Sequence, residues 1–395
     1  MDFPPSQAKP ERLMSLDAYR GFVMFLMAAE MLHVPEIAGH FPSSTVWKWL
    51  AFHSDHVDWT GCSLHDLIQP SFSFMVGVAL PFSLVSRSSL GQTRTRLWIH
   101  ALWRSLILIL LGVFLRSIGE KQTYWTFEDT LSQIGLGYPF LFALGFASTR
   151  ARWMSLAAVL VGYWLLFVGY TPSSDWSAAA ANAASDSAHS FTGFFSHWDM
   201  NRNPAWAADC WFLNLFPRAE AFIGNDGGYC TLSFIPTLGT MILGLLGGQW
   251  LKDRATSDPT KKLLLAGIAC MAAGWLLELL HICPSVKKIW TPAWTLFSGG
   301  WCFLFMAAFY VVIDVRGWKG WAFPLVVIGM NSIAMYVMAH TVEHFFAQAL
   351  LTHAGPRPFL LLGKELQPLL HGAAVLFILW LILLWMHRRK IYLRV

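Results

Sequence analysis

The stretch from His56 to Gly77, HVDWTGCSLHDLIQPSFSFMVG, sets ionisable side chains directly against the start of an apolar run. Read as a membrane span opening behind a polar loop, it makes the chain a membrane protein. Ionisable residues at that depth are costly, so by default they mark function. Two readings of the loop stand side by side. Either His56 and Asp58 are solvated and Asp66 merely caps the following helix, or these groups form a reactive centre at the membrane mouth.

Working outward, the composition supports the span. Charged residues make up 13% of the chain and hydrophobic residues 55%, with a mean hydropathy of +0.48. A soluble domain carries about 25% charged residues. The 21 Trp and 30 Phe suit a helical bundle with aromatic side chains at the headgroup level and in its interior. A net charge of +5 without any basic and aromatic recognition module gives no sign of nucleic acid as a partner.

Uncharged apolar runs near the ~20 residues needed to cross a bilayer predict an all-α polytopic bundle of about ten transmembrane helices. They lie near 16–34, 67–86, 98–116, 131–149, 153–170, 232–251, 263–281, 293–313, 323–343 and 366–386. The stretch 344–362 is apolar too, but Gly355, Pro356 and Pro358 interrupt it, so it reads as re-entrant or interfacial. If it crosses, the count is eleven.

The loop charges set the orientation. A cytoplasmic N-terminus places 19 of the 28 Lys and Arg inside, among them Lys9, Arg12, Arg20, Arg87, Arg94, Arg96, Arg104, Arg388 and Arg394. Ten spans keep both termini cytoplasmic; eleven would move the basic tail to the other side. Met1–Glu11 has no basic stretch leading into a cleavable apolar core, so the first span is expected to stay as an anchor. The chain reads as one integral-membrane domain over 1–395. The loop holding His56 then lies outside, with a long connection over 171–231 whose Trp, Asp and Asn content makes it a candidate binding lid.

No cysteine pair or histidine cluster has metal-ligand spacing, and no metal is expected. Cys62, Cys210, Cys230 and Cys283 fall on the outer side, where a Cys210–Cys230 disulfide is chemically permitted.

Five stretches, in order, carry a resemblance. RLMSLDAYRGFVM (Arg12–Met24), HVDWTGCSLHDLIQPSFSFMVG, LSQIGLGY (Leu131–Tyr138), TLSFIPTLGTMILGLLGG (Thr231–Gly248) and IGMNSIAMYV (Ile328–Val337) together resemble the transmembrane acetyltransferases typified by heparan-alpha-glucosaminide N-acetyltransferase. Each stretch alone is largely apolar and weak; their order over some 320 residues is the specific part. The resemblance implies an acetyl group taken from cytoplasmic acetyl-CoA and delivered to an acceptor on the other face. It also implies that the active histidine is His56, three residues before Trp59.

Imidazole suits that task, because an amine or hydroxyl acceptor must lose a proton as it attacks a thioester. His56 could be that general base, or could carry the acetyl group itself. Asp58 or Asp66 could orient its ring, while His53 and His65 are not expected to react. Asp17 and Arg20 share a helical face and read either as a cap with a snorkelling anchor or as a phosphate-binding pair for acetyl-CoA. Asn331, in the middle of a span, must find partners, either on neighbouring helices or on the pantetheine amides. Gln133 takes the same two readings.

The acceptor is expected to be an amino sugar or cell-envelope glycan, acetylated on nitrogen or oxygen. Its binding candidates are Asp58 and Trp59, then Trp198 and Asp199 in the long loop, which could equally pack a lid. The sequence departs from the family at AAEML, where Glu30 either serves the acceptor or ends its helix. The heparan enzyme also has a lumenal domain before its membrane part, whereas a short polar stretch precedes the first span here. That suits a bacterial inner membrane with a periplasmic outer face. An exposed apolar bundle also leaves a homodimer open. The alternative class is a secondary transporter of a sugar or related polar solute, although the halves show no convincing internal repeat.

Overall fold

A computed structural model describes residues 13–172, 190–254 and 258–393. Met1–Glu11, Lys9, Arg12, Arg394 and part of the long loop lie outside the described residues. The described chain is all-helical, with α1 Met14–Ala28, α2 Val34–His40, α3 Thr45–His53, α4 Ile68–Ser88, α5 Arg94–Arg116, α6 Thr130–Gly145, α7 Thr149–Val168 and α8 Pro204–Phe212. There follow α9 Phe234–Lys252, α10 Pro259–Leu279, α11 Pro292–Phe309, α12 Phe323–Met330, α13 Ser332–Thr341, α14 Glu343–Ala354 and α15 Gln367–Arg388. The protein is a polytopic helical membrane protein.

Among the described residues, seven helices are long and apolar enough to cross a bilayer, and nine if two bent pairs each count as one span. One pair joins α1 to α2 with a 44° bend, and the other joins α12 to α13 with a 68° bend. The remaining predicted span is α6, only 16 residues long. The 344–362 stretch forms the 12-residue α14 and a short turn over Arg357–Leu360. At ~1.5 Å per residue such a helix falls well short of a ~30 Å hydrocarbon core.

Local chemistry fixes the helix starts. Thr93 Oγ1 caps α5, Asp129 caps α6 through the N–H groups of Leu131 and Ser132, and Ser148 caps α7. Asp258 with Pro259 and Thr291 with Pro292 open α10 and α11, where the missing proline N–H costs nothing.

At the centre stands α9, with 83% of its apolar window buried. Its glycines let α4 cross at backbone contact: a Cβ on Gly244 would collide with the Phe74 carbonyl, one on Gly248 with that of Val78, and one on Gly77 with that of Met241. Dispersion between close backbones drives such pairing in a bilayer, where apolar side chains gain nothing by leaving lipid. A second close crossing joins α1 to α12 through Gly21 and Gly329. On the periphery, α10 and α15 bury only 17% and 22% of their windows and present Leu265, Ile268, Phe377 and Trp385 outward.

Candidate active site

Three loops from distant parts of the chain meet around His56. Its own loop follows α3 and runs into the short turn His65–Leu67 ahead of α4. An antiparallel bridge between Thr60 and Val286 clips this loop to the connection between α10 and α11. That connection is rigid: it is buried from Cys283 to Lys287, Thr291 N donates to the Val286 carbonyl at 3.1 Å, and Trp290 N to that of Lys287 at 2.9 Å. Trp290 takes a left-handed φ of 50°, unusual for a bulky residue, while its indole N–H bonds Thr240 Oγ1 at 3.1 Å in the core. The strained turn holds Lys287 toward His56.

At the centre is the carboxylate of Asp66, fully buried. Its Oδ2 accepts from Ser63 N at 2.9 Å, Ser63 Oγ at 3.0 Å and Val57 N at 3.3 Å. Its Oδ1 lies 2.8 Å from His56 Nδ1 and accepts from Lys287 Nζ at 3.1 Å. Five donors surround one carboxylate, so it is ionised. In the tautomer that donates Nδ1–H to Asp66, Nε2 of His56 keeps its lone pair; in the other, Nδ1 accepts from Lys287 Nζ, 2.9 Å away. Burial lowers the His56 pKa most; the Asp66 bond opposes this, and the charges of Lys287 and His65 reinforce it. Burial also lowers the pKa of Lys287, against the pull of Asp66.

His65 stacks edge-on with His56 at 4.5 Å between ring centroids, and its Nε2 lies 2.9 Å from Glu30 Oε1. Glu30 sits in the turn that ends the first helix and lines the same cavity through its bond to His65. These groups line a cavity of ≈ 460 Å³. Its far wall carries Arg116, Glu128 and Asp129, and Tyr229 and Tyr336 contribute rings. Burial raises the pKa values of Glu128 and Asp129, in Glu128 against the charge of Arg116. Asp129 spends one oxygen on capping α6, and its Oδ2 is buried without a partner among the described residues.

A second cavity of ≈ 620 Å³ is lined by Arg20, Arg87, Gln92, Arg104 and the Leu393 tail. The two cavities share Phe72, Thr130 and Tyr336. Residues that loop charges assign to one side therefore cluster together: His56, Lys287 and Arg116 around the first cavity, and Arg20, Arg87 and Arg104 around the second. Arg104 donates to Tyr138 Oη at 3.3 Å, while its buried Nε has no partner among the described residues. Arg20 sits 3.5 Å from Asp17.

Several predicted site residues lie elsewhere. Gln133 lines neither cavity; its amide donates to the carbonyls of Phe127 at 2.9 Å, Thr231 at 3.1 Å and Cys230 at 3.4 Å, tying α6 to the start of α9. Asn331 occupies the break between α12 and α13. Its amide donates to the Ile391 carbonyl at 3.0 Å and its Oδ1 accepts from Leu393 N at 3.1 Å, holding the C-terminal tail beside the second cavity. Asp58 is exposed and absent from the cavity wall. Trp59 and Trp198 are buried with Phe167 and Val286 in one cluster, joined by Trp59 Nε1 donating to the Trp198 carbonyl at 3.2 Å. Asp199 is a local tie, accepting from Phe191 N at 2.6 Å. From the long loop it is Tyr229 that reaches the cavity. The disulfide that the sequence left open between Cys210 and Cys230 is not formed: both are free thiols. Among the described residues no group of three or more His, Cys, Asp or Glu could hold a metal ion.

Sequence reasoning missed Lys287, Arg116, Glu128 and Asp129 as site residues. The Asp129-Thr-Leu-Ser cap before an apolar run was the one local signal; the others looked like ordinary loop charges.

No family profile matches the chain. Two curated proteins are similar to it. Human heparan-alpha-glucosaminide N-acetyltransferase is 23% identical over 386 residues, covering 86% of this chain and 54% of its own length. The mouse protein of the same name is 23% identical over 397 residues, covering 87% and 56%. The chain spans about half the length of the curated relatives it matches, and the similarity marks a distant relationship to that family.

Proposed function

We propose that this protein is a transmembrane acetyltransferase that takes an acetyl group from cytoplasmic acetyl-CoA and passes it to an amino sugar or envelope glycan on the extracytoplasmic face. The observation that carries this reading is the pair of cavities meeting at Phe72, Thr130 and Tyr336, one basic and one built on a histidine–aspartate pair. Arg20, Arg87 and Arg104 suit the phosphates of the donor. In this reading the thioester passes Phe72, Thr130 and Tyr336, the side chains that stand between the arginines and His56.

In this reading Asp66 holds Nδ1–H, and Nε2 takes the proton of the acceptor as its nitrogen or oxygen bonds to the thioester carbonyl carbon. The carbon–sulfur bond breaks, and the same proton passes to the departing thiolate. In the carrier variant Nε2 itself bonds to the carbonyl carbon and the carbon–sulfur bond breaks; the acceptor then bonds to the same carbon, the carbon–Nε2 bond breaks, and the acceptor's proton passes to the freed Nε2 and on to the thiolate. A bacterial inner membrane is the proposed location.

The test is reconstitution in vesicles with labelled acetyl-CoA on one side and glucosamine-type acceptors on the other. His56-dependent label transfer supports the reading, and mass spectrometry of quenched protein shows whether His56 becomes acetylated. Absence of transfer and of CoA release, with donor binding shown, refutes it. Sugar uptake without any acyl donor would point to a transporter instead.

A further inference from the structure

The buried lysine beside His56 has no role in the reading above. Its Nζ lies 2.9 Å from His56 Nδ1 and 3.4 Å from Nε2, on a side chain only 4% exposed. We propose that Lys287 is a positioning residue that keeps the His56 imidazole unprotonated, by holding a fixed ammonium against the ring and occupying the carboxylate that would otherwise favour imidazolium.

The argument is one of charge. Asp66 Oδ1 is shared between Lys287 Nζ and His56 Nδ1. Without the lysine, Asp66 and His56 would form an ordinary ion pair, which stabilises the protonated ring. With it, the single negative charge is already matched, and an imidazolium would bring a second cation to within 2.9 Å of the first. Of the two bases the lysine keeps the proton, being about four pKa units the stronger in water.

The other groups facing the ring do not undo this. His65 stands on the α4 side and is bonded to Glu30 at the end of the first helix. In its own loop, Asp55 accepts from His56 N at 2.7 Å. Tyr229 comes from the long loop, and Arg116, Glu128, Asp129, His340 and Glu343 line the rest of the same cavity. Burial and the charges of Lys287 and His65 together outweigh the Asp66 bond. A base held neutral in this way serves either version of the transfer step, and that catalytic consequence rests on the acetyltransferase reading. The titration of His56 does not.

The experiment reads both. Carbethoxylation of His56 by diethyl pyrocarbonate, which attacks unprotonated imidazole, is followed by peptide mass spectrometry against pH in detergent-solubilised protein. Acetyl transfer is followed over the same range. In K287M both profiles move to higher pH, with about a tenfold loss at pH 6 that fades at pH 9. K287R keeps the wild-type profile, and K287Q supplies a second neutral variant against misfolding. Equal loss at every pH with an unmoved carbethoxylation profile overturns the proposal and leaves Lys287 a structural ion-pair partner. A shifted carbethoxylation profile in a protein that transfers no acetyl group upholds the proposal and refutes the acetyltransferase reading.

Discussion

Replacing Asp66 by Asn keeps the shape of the side chain and removes its charge. The wild-type carboxylate accepts from three groups on Oδ2 and from His56 and Lys287 on Oδ1. An amide has one carbonyl oxygen, so in either orientation its NH2 faces donors. The heavier cost falls on Lys287, which is left as a buried cation without its carboxylate. Breaking a buried pair from one side costs about 3–5 kcal/mol. D66N is therefore expected to lose about that much stability in chemical unfolding of the detergent-solubilised protein. The double variant D66N/K287M removes the stranded cation as well, so it should be more stable than the sum of the single changes by about 2 kcal/mol or more. Acetyl transfer should fall about a hundredfold or more in D66N, since the ring loses its orienting partner. A D66N cost below about 1 kcal/mol together with an additive double variant would refute the reasoning, because that is how solvated charges behave.

The other expectations can be checked with the same purified protein. G77A should destabilise by about 1–3 kcal/mol, since the new methyl meets the Met241 carbonyl, whereas G162A on the open face of α7 should be neutral or gain up to about 1 kcal/mol; thermal unfolding of both decides. Q133A strands three buried carbonyls and should cost about 1–3 kcal/mol without changing the KM for acetyl-CoA; a raised KM would put Gln133 back at the donor. Asp209, buried in α8 and accepting from Thr231 N at 2.8 Å, has its pKa raised to about 7, chiefly by burial. A folded-state value above the unfolded one means stability falls as pH rises toward it, so D209N should gain over wild type by about 2–3 kcal/mol between pH 5 and pH 8. An advantage that does not change with pH would contradict that burial.

How much of this was legible in the sequence depends on whether a signal is local. Hydropathy is local, so nine of the ten spans could be read directly, two of them as bent pairs, whereas α6 is shorter than the span expected there; the break at Gly355 and the two prolines in 344–362 was legible for the same reason. The pairing of His56 with Asp66 lies within ten residues and was within reach for the same reason. The roles of Gln133 and Asn331 were only half legible: burying an amide requires partners, and that requirement is set by the residue type. Which carbonyls answer it depends on where α6, α9 and the C-terminal tail come to rest. Trp198 in the long loop left two readings open because an aromatic ring beside an aspartate looks the same in sequence whether it faces a sugar or fills a core, as it does here.

By itself the sequence determined a helical membrane bundle, because that follows from the cost of placing a given side chain in lipid; the sorting of its loops and the place of His56 at one membrane mouth are expectations drawn from the same cost. Only the tertiary structure decided that Lys287, 231 residues from His56, lies against its ring, and that the arginine-lined and histidine-lined cavities share a wall. Both depend on helix crossings such as Gly77 against α9, where backbone contact sets the distance between elements. No local pattern encodes which surface a given loop will meet once those helices are packed.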